Sequence, residues 1–284
     1  MSDKWRCRKD DMKRCITLIL AAILILSCAV VPSHAATKLK GYGVYIGQDS
    51  FSKLKKKVAG KKTIVIEGQS FSKKQIKQLK KNGRKVYSYL NVGSLENYRS
   101  YYDDYKDLCL STYENWPDES WVDVTADKWE SFIVDELGEK LEKKGVGGFF
   151  LDNCDVYYHY HTDEVYEGLV RIIKGLGKYG IDIIINGGDT FVSRLIKDGR
   201  HALITGVNQE TVFSRVIDYD KDRFGAQTKS ENKYFTGYLK KVAKKKLKVF
   251  LLEYTKSKSL KKNIKKYCKK NGYKYYITGS LALK

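Results

Sequence analysis

Proline is nearly absent from this 284-residue chain, which has only Pro32 and Pro117. No Gly/Ser/Pro-rich stretch replaces it, so nothing reads as an interdomain linker and a single domain is expected. Cysteine is scarce beyond Ala35, where Cys109, Cys154 and Cys268 are an odd set that allows one bridge at most. That excludes a disulfide-defined fold. Arginine is scarce too. Seven lie beyond Ala35, so the formal charge of +21 is carried mainly by lysine. No Lys/Arg-aromatic motif of an RNA- or DNA-binding module appears, and nucleic acid is not an expected partner. Diffuse lysine suits solubility or a loose attraction to anionic polymers such as a bacterial wall.

Long hydrophobic runs are also missing, with one exception. Ile16–Val31 has 16 apolar or small residues, short of the roughly 20 needed to span a bilayer. Six basic residues from Lys4 to Arg14 precede it, and Ser33-His34-Ala35 puts small residues at −3 and −1 of a cleavage site. Residues 1–35 are therefore expected to be a secretory signal. Ile25-Leu26-Ser27-Cys28 departs from a lipoprotein box, because Leu26 is bulky and apolar sequence continues past Cys28. The mature chain, 36–284, would carry +18 and be secreted or held at the cell surface.

What is present is alternation. Short runs rich in Val, Ile, Tyr and Phe recur at Tyr42–Ile46, Thr63–Ile66, Val86–Leu90, Gly148–Leu151, Asp182–Ile185, Leu203–Val207, Val249–Leu252 and Tyr275–Thr278. Between them, apolar residues return every three or four positions. One stripe is Trp129, Phe132, Ile133, Leu137 and Leu141, ended by Gly145; another is Val165, Leu169, Ile172, Ile173 and Leu176, opened by Thr162-Asp163-Glu164. Such βα units predict a parallel sheet, and eight of them in about 250 residues predict one (β/α)8 TIM-type barrel. The tyrosine- and tryptophan-rich segment from Asn97 to Val122 has no clean period and reads as an extended loop over the barrel mouth.

In a barrel, the polar residue that ends each strand points to the catalytic face. Those residues are Asn91, Asp152, Asn186, Asn208, Glu210 and Glu253. Strand-end Asn and Asp also cap helices and turns, but a whole rim of amides and carboxylates points to glycoside hydrolysis. There one acid protonates the leaving oxygen and the other attacks or activates water. Tyr45, Tyr89, Tyr157 and Trp116 are candidate faces for stacking on sugar rings.

Three stretches carry a resemblance: Tyr89-Leu90-Asn91-Val92-Gly93-Ser94-Leu95-Glu96-Asn97-Tyr98-Arg99, Trp116-Pro117 through Trp121-Val122-Asp123-Val124, and Gly148 through Asp152-Asn153-Cys154-Asp155-Val156-Tyr157. Together with Ile185-Asn186, Val207-Asn208-Gln209-Glu210 and Leu252-Glu253-Tyr254, they resemble glycoside hydrolase family 114, the endo-α-1,4-polygalactosaminidases. The resemblance implies a barrel that hydrolyses an α-1,4-linked galactosamine-containing polysaccharide without metal, with a catalytic pair at Asp152 and Glu210. Arg99, Asp155 and Tyr157 join Tyr45, Tyr89, Asn91, Asn186, Asn208 and Glu253 as candidate substrate contacts. Where relatives often place an Asp after the first strand, this chain has Gly47-Gln48-Asp49.

Deacetylated galactosamine polymers are cationic and a chain of +18 repels them, so either the rim is locally acidic or the substrate is acetylated; the charge favours the second. Asn153 is expected to help keep Asp152 ionised, while apolar neighbours Val207, Val212 and Phe213 raise the pKa of Glu210 and make it the general acid. Asp152, Asp155, His159 and His161 could be imagined as a metal cluster, but no further His ends a strand. No cofactor is expected, and a monomer is. The competing class is a wall- or exopolysaccharide-binding protein on the same scaffold, which keeps the aromatics and needs neither carboxylate.

Overall fold

The computed structural model describes residues 39–114 and 116–284. The expected signal and its cleavage site lie outside them. Among the described residues no helix is long and apolar enough to cross a membrane.

Eight parallel strands form one sheet: β1 (Tyr42–Tyr45), β2 (Thr63–Ile66), β3 (Lys85–Asn91), β4 (Gly148–Asp152), β5 (Asp182–Asn186), β6 (Gly206–Glu210), β7 (Lys248–Tyr254) and β8 (Lys274–Thr278). They ladder in chain order from β1 to β8. The first and last strands meet at a seam, where the Tyr45 and Tyr276 rings lie 5.4 Å apart and Gly47 N–H donates to the Leu283 carbonyl at 3.3 Å. This is the expected (β/α)8 barrel.

Both faces of the sheet are buried, and residue parity divides them. Tyr42, Val44, Val65, Tyr87, Tyr89, Phe150, Ile184, Phe250, Leu252 and Tyr254 fill the barrel interior. Their neighbours Ile64, Ile66, Val86, Leu90, Phe149, Leu151, Ile183, Ile185, Val207 and Leu251 pack outward under the helices. Asn91, Asp152, Asn186, Glu210 and Tyr254 sit at the C-terminal ends of their strands with inward parity. That is what gathers them.

The helices follow their stripes. Asp127–Lys144 is continuous, with π-helical turns over Phe132–Gly138, and ends at Gly145 with φ of 85°. Its Trp129 is buried and donates from Nε1 to the Val92 carbonyl at 2.9 Å, tying the helix to the exit of β3. Asp163–Gly177 starts as expected at Thr162, whose hydroxyl accepts from Val165 N–H. Cys109, Cys154 and Cys268 are unpaired.

Two expectations change. β6 runs three residues later than Leu203–Val207, because His201–Leu203 is a 3-10 turn; Asn208 and Glu210 thus lie within the strand, facing polar partners inside the barrel. The segment after β3 is not an extended loop. It folds into a three-stranded antiparallel sheet, Ser94–Glu96, Glu119–Val122 and Cys109–Thr112, with a helical turn at Tyr102–Tyr105. Strands of three or four residues show no period in sequence, and aromatic packing holds this one: Trp121 on Tyr113 and Tyr105 on Phe132, each with centroids 4.2 Å apart. A second unexpected feature, the hairpin Ser214–Asp218/Arg223–Ala226, leaves β6.

Candidate active site

At the C-terminal end of the barrel lies a cleft of about 650 Å³. Its base is built from strand ends. Asp152 ends β4, and the next residue, Asn153, takes a left-handed φ of 64°, a conformation asparagine tolerates. The turn aims Asn153 N–H at Asp152 Oδ1, 3.1 Å away, and sends the Asn153 side chain the other way, to Asn91, Ser94 and Glu119. The Asn186 amide from β5 donates to Asp152 Oδ1 at 2.9 Å and to Glu210 Oε1 at 2.8 Å. Sharing one nitrogen, the two carboxylate oxygens are no more than about 5.7 Å apart. Asn208 Nδ2 donates to Asn186 Oδ1 at 2.6 Å, and Tyr42 OH donates to Asn208 Oδ1 at 3.1 Å. On the other side, Tyr254 OH donates to Glu210 Oε2 at 2.7 Å.

Burial raises both carboxyl pKa values. Asp152 is pushed up to about 6, opposed by the hydrogen bonds from Asn186 and Asn153. Glu210 is pushed up to about 7 by burial and by the neighbouring charge of Asp152, opposed by Asn186 and Tyr254. The ordering follows from desolvation and like-charge repulsion set against donor bonds.

Around this base, Tyr89, Arg99, Asp155 and Trp116 line the cleft as expected. Both Asp155 oxygens accept from Gly188 N–H at 3.1 Å. Arg99 bridges Glu67 and Glu96 at 3.0 and 2.7 Å. Asn91 and Asn208 do not line the cleft but support residues that do: Asn91 exchanges hydrogen bonds with Ser94 and accepts one from Asn153, and Asn208 orients Asn186.

Three further candidates do not reach the cleft. Tyr45 has outward parity on β1, packs at the seam on Tyr276 and donates to the Lys57 carbonyl. Tyr157 is buried against Tyr166 and Phe191, with its hydroxyl accepting from Arg194. Glu253 has outward parity on β7 and is fully buried, accepting from Phe213 N–H, Ser214 N–H and Ser214 Oγ–H at 2.6 to 3.2 Å. It anchors the hairpin that leaves β6. The histidines are likewise engaged in packing, His159 on Trp121 and His161 on Tyr157.

The structure adds residues that strand ends alone did not flag. Tyr254 is visible in sequence through its parity with Phe250 and Leu252. Glu119, Asp118 and Tyr113 come from the inserted sheet, and Tyr219 from the hairpin. Glu119 Oε2 accepts from Ser94 Oγ–H at 2.7 Å, and burial pushes its carboxyl up to about 7. Trp116 and Tyr219 meet edge to face with centroids 6.1 Å apart, so the two insertions touch beside the cleft.

The model of glycoside-hydrolase family GH114 matches residues 48–280. The chain belongs to family GH114. This GH114 chain is a glycoside hydrolase, and no curated protein matches it. Among solved structures it is similar to the glycoside hydrolase domain of PelA from Pseudomonas aeruginosa, at TM-score 0.70 and 15% identity over 86% of this chain and 94% of that one. A variant of that domain aligns at TM-score 0.71 and 14% identity, over 86% and 96%. Aspergillus fumigatus Ega3 in complex with galactosamine aligns at 0.64 and 16%, over 87% and 93%. At these identities the likeness is one of fold.

Glu253→Ala in this GH114 chain strands two buried backbone N–H groups and a hydroxyl. It is expected to lower unfolding free energy by about 2–4 kcal/mol, measured by urea denaturation. A variant with full stability and abolished turnover would instead give Glu253 a role in the reaction.

Proposed function

We propose that this hydrolase cleaves α-1,4-linked galactosamine-containing polysaccharide with retention of configuration, using Asp152 as nucleophile and Glu210 as acid and then base. The observation that carries the reading is the pair of carboxylates held on one Asn186 amide. Their facing oxygens, no more than about 5.7 Å apart, lie closer than the about 6.5–9.5 Å that an intervening water requires in inverting enzymes and are compatible with the roughly 5–5.5 Å of retaining ones. Asp152, with the lower pKa, is the ionised partner; Glu210 keeps its proton. The Asp152 carboxylate attacks the anomeric carbon while Glu210 gives its proton to the departing glycosidic oxygen. Glu210, now a carboxylate, takes a proton from water as that water attacks the anomeric carbon and releases Asp152.

The lining supports a cationic substrate. Besides the protonated Glu210, five acids face the cleft, Asp118, Asp152, Glu119, Asp155 and Glu67; burial raises the last three, but an ammonium group among them favours their ionised forms, and Arg99 is the sole Lys or Arg among its described lining residues. Arg99 is occupied with Glu67 and Glu96. The net charge of the chain favours an acetylated polymer, but a substrate in the cleft is nearest to these carboxylates, so deacetylated galactosamine units are the better fit. Ega3 is described with galactosamine bound, in keeping with that reading. Tyr89, Trp116 and Tyr219 supply ring faces for sugars. The basic stretch, apolar run and Ser33-His34-Ala35 support export as residues 36–284; N-terminal sequencing of protein recovered from culture medium should begin at Ala36, and an intact Met1 would overturn it.

Glu210→Gln is expected to lose most turnover on polymer but to retain glycosylation by activated aryl glycosides, whose leaving groups need no proton. Asp152→Asn should lose both. For the unmodified enzyme, kcat/KM should rise with pH as Asp152 ionises near 6 and fall as Glu210 loses its proton near 7. In Glu210→Gln the alkaline limb should disappear. Equal loss on both substrate types in Glu210→Gln would take the acid role away from Glu210.

Glu119→Gln tests substrate charge. At or above pH 7, where Glu119 is substantially ionised, it should lower kcat/KM about tenfold on deacetylated galactosamine oligomers and leave N-acetylated ones unchanged. Equal effects on both would remove Glu119 from ammonium recognition.

A further inference from the structure

The two ends of the barrel carry opposite charge. Segments that enter β2 to β8, taken to the first strand residue (58–63, 80–85, 145–148, 178–182, 198–206, 245–248 and 272–274), contain twelve Lys or Arg and two acids, Asp182 and Asp198. Segments that leave the eight strands, taken from the last strand residue (45–50, 66–72, 91–126, 152–162, 186–188, 210–228, 254–257 and 278–284), contain sixteen Asp or Glu and seven Lys or Arg. Among the connecting segments the positive charge thus lies on the barrel floor and the negative charge on the cleft side.

At the centre of that floor, Asp182 is shared among Lys85, Lys248 and Tyr87. Lys274 Nζ is 3.3 Å from Thr63 Oγ1, and Lys62 Nζ donates to the Gly83 carbonyl at 2.6 Å. One carboxylate therefore pairs with two of these four ammonium groups and leaves Lys62 and Lys274 on neutral acceptors, so the floor is under-neutralised. Consistently, burial and repulsion from Lys248, Lys85 and Lys62 lower the pKa of Lys274. The floor arginines are spent. Arg84 donates to the carbonyls of Lys61, Leu79 and Val58, and Arg200 pairs with Glu167 at 2.7 Å. What remains available is lysine, a compact point charge that binds phosphate oxygens without the planar guanidinium fork, which matches carboxylate and phosphate alike. Large exposed rings, Tyr98, Trp116, Tyr158 and Tyr219, are all in segments that leave the strands, and Tyr234 is on the helix Lys229–Lys244. The floor offers no such platform for nucleobases.

We propose that the barrel floor is a docking surface for a linear phosphodiester polyanion of the kind found in cell walls, which holds the enzyme with its acidic cleft turned away. The inference does not depend on the reaction proposed above. It is tested on the mature chain with poly(glycerol phosphate) as the probe, by sedimentation or fluorescence anisotropy across a salt series. The floor variant is Lys62→Gln, Lys81→Gln, Lys245→Gln and Lys274→Gln together. The control has equal net charge and carries Lys53→Gln, Lys73→Gln, Lys229→Gln and Lys258→Gln, at exposed helix starts near the cleft end. The floor variant should lose at least about tenfold in affinity near 50 mM salt and show a shallower salt dependence. The control should bind like the unmodified chain, and thermal unfolding should show both variants folded. Equal losses in the two variants would reduce the effect to net charge and overturn the proposal. So would an unmodified chain that fails to bind, or one that binds alginate or duplex DNA more tightly than the phosphodiester polymer at equal charge concentration.

Discussion

The catalytic end of this barrel depends on one amide. Asp152 and Glu210 are buried carboxylates on β4 and β6, and without a donor between them burial and repulsion would drive protons onto both. The Asn186 side chain, on the strand between, donates one N–H to each. It can do so in only one orientation, because its carbonyl oxygen must accept from Asn208, which Tyr42 fixes in turn. The orientation of the reacting pair is thus set by a chain of side chains that starts on β1, deep in the barrel, and crosses two strands before it reaches the cleft. An amide flip at Asn186 would present an oxygen to two carboxylates and a nitrogen to an Asn208 nitrogen, so the network excludes the alternative.

Much of this was legible. Seven of the eight apolar runs match their strands to within two residues, and Asp152 and Asn186 stand where strand ends were expected; β6 is shifted three residues, which makes Glu210 its last residue. Glu253 and Tyr45 mark the limit of position alone. Each ends or follows an apolar run, but in a strand buried on both faces the side chain's parity decides which layer it enters. Counting inward from Phe250 and Leu252 would have placed Tyr254 in the cleft and Glu253 behind it. Tyr157 differs, since its ring is taken up by the helical residues Tyr166 and Phe191, a contact that no local pattern announces.

The least legible part is what was added to the barrel. Glu119, Asp118, Tyr113 and Trp116 reach the cleft from an insertion whose strands pair Ser94 with Trp121 and Glu96 with Glu119. Each partner in such a pair is some two dozen residues from the other, and the strands are too short for alternation to emerge above noise. Their register is held by tertiary contacts, the Ser94–Asn91–Asn153 hydrogen bonds at the base and stacked rings above. Part of the acid lining of the cleft arrives by this route, which is why composition suggested a basic protein ill-suited to a cationic polymer.

That mismatch dissolves once charge is placed in space. A five-residue strand advances about 16 Å along its own direction, and physiological salt screens exposed charges over about 8 Å. A sugar bound over Asp152 and Glu210 is therefore within reach of Glu119 and Asp155, while the lysines of the floor lie beyond most of the screening range. Their repulsion is felt even less than distance implies, because Asp182 pairs with two of those ammonium groups and offsets part of their charge. Local charge inside the cleft, where water is sparse and the effective dielectric falls, outweighs a larger charge of opposite sign at the far end. A net charge of +21 accordingly constrains what the outside of this protein attracts and says little about what its cleft can hold.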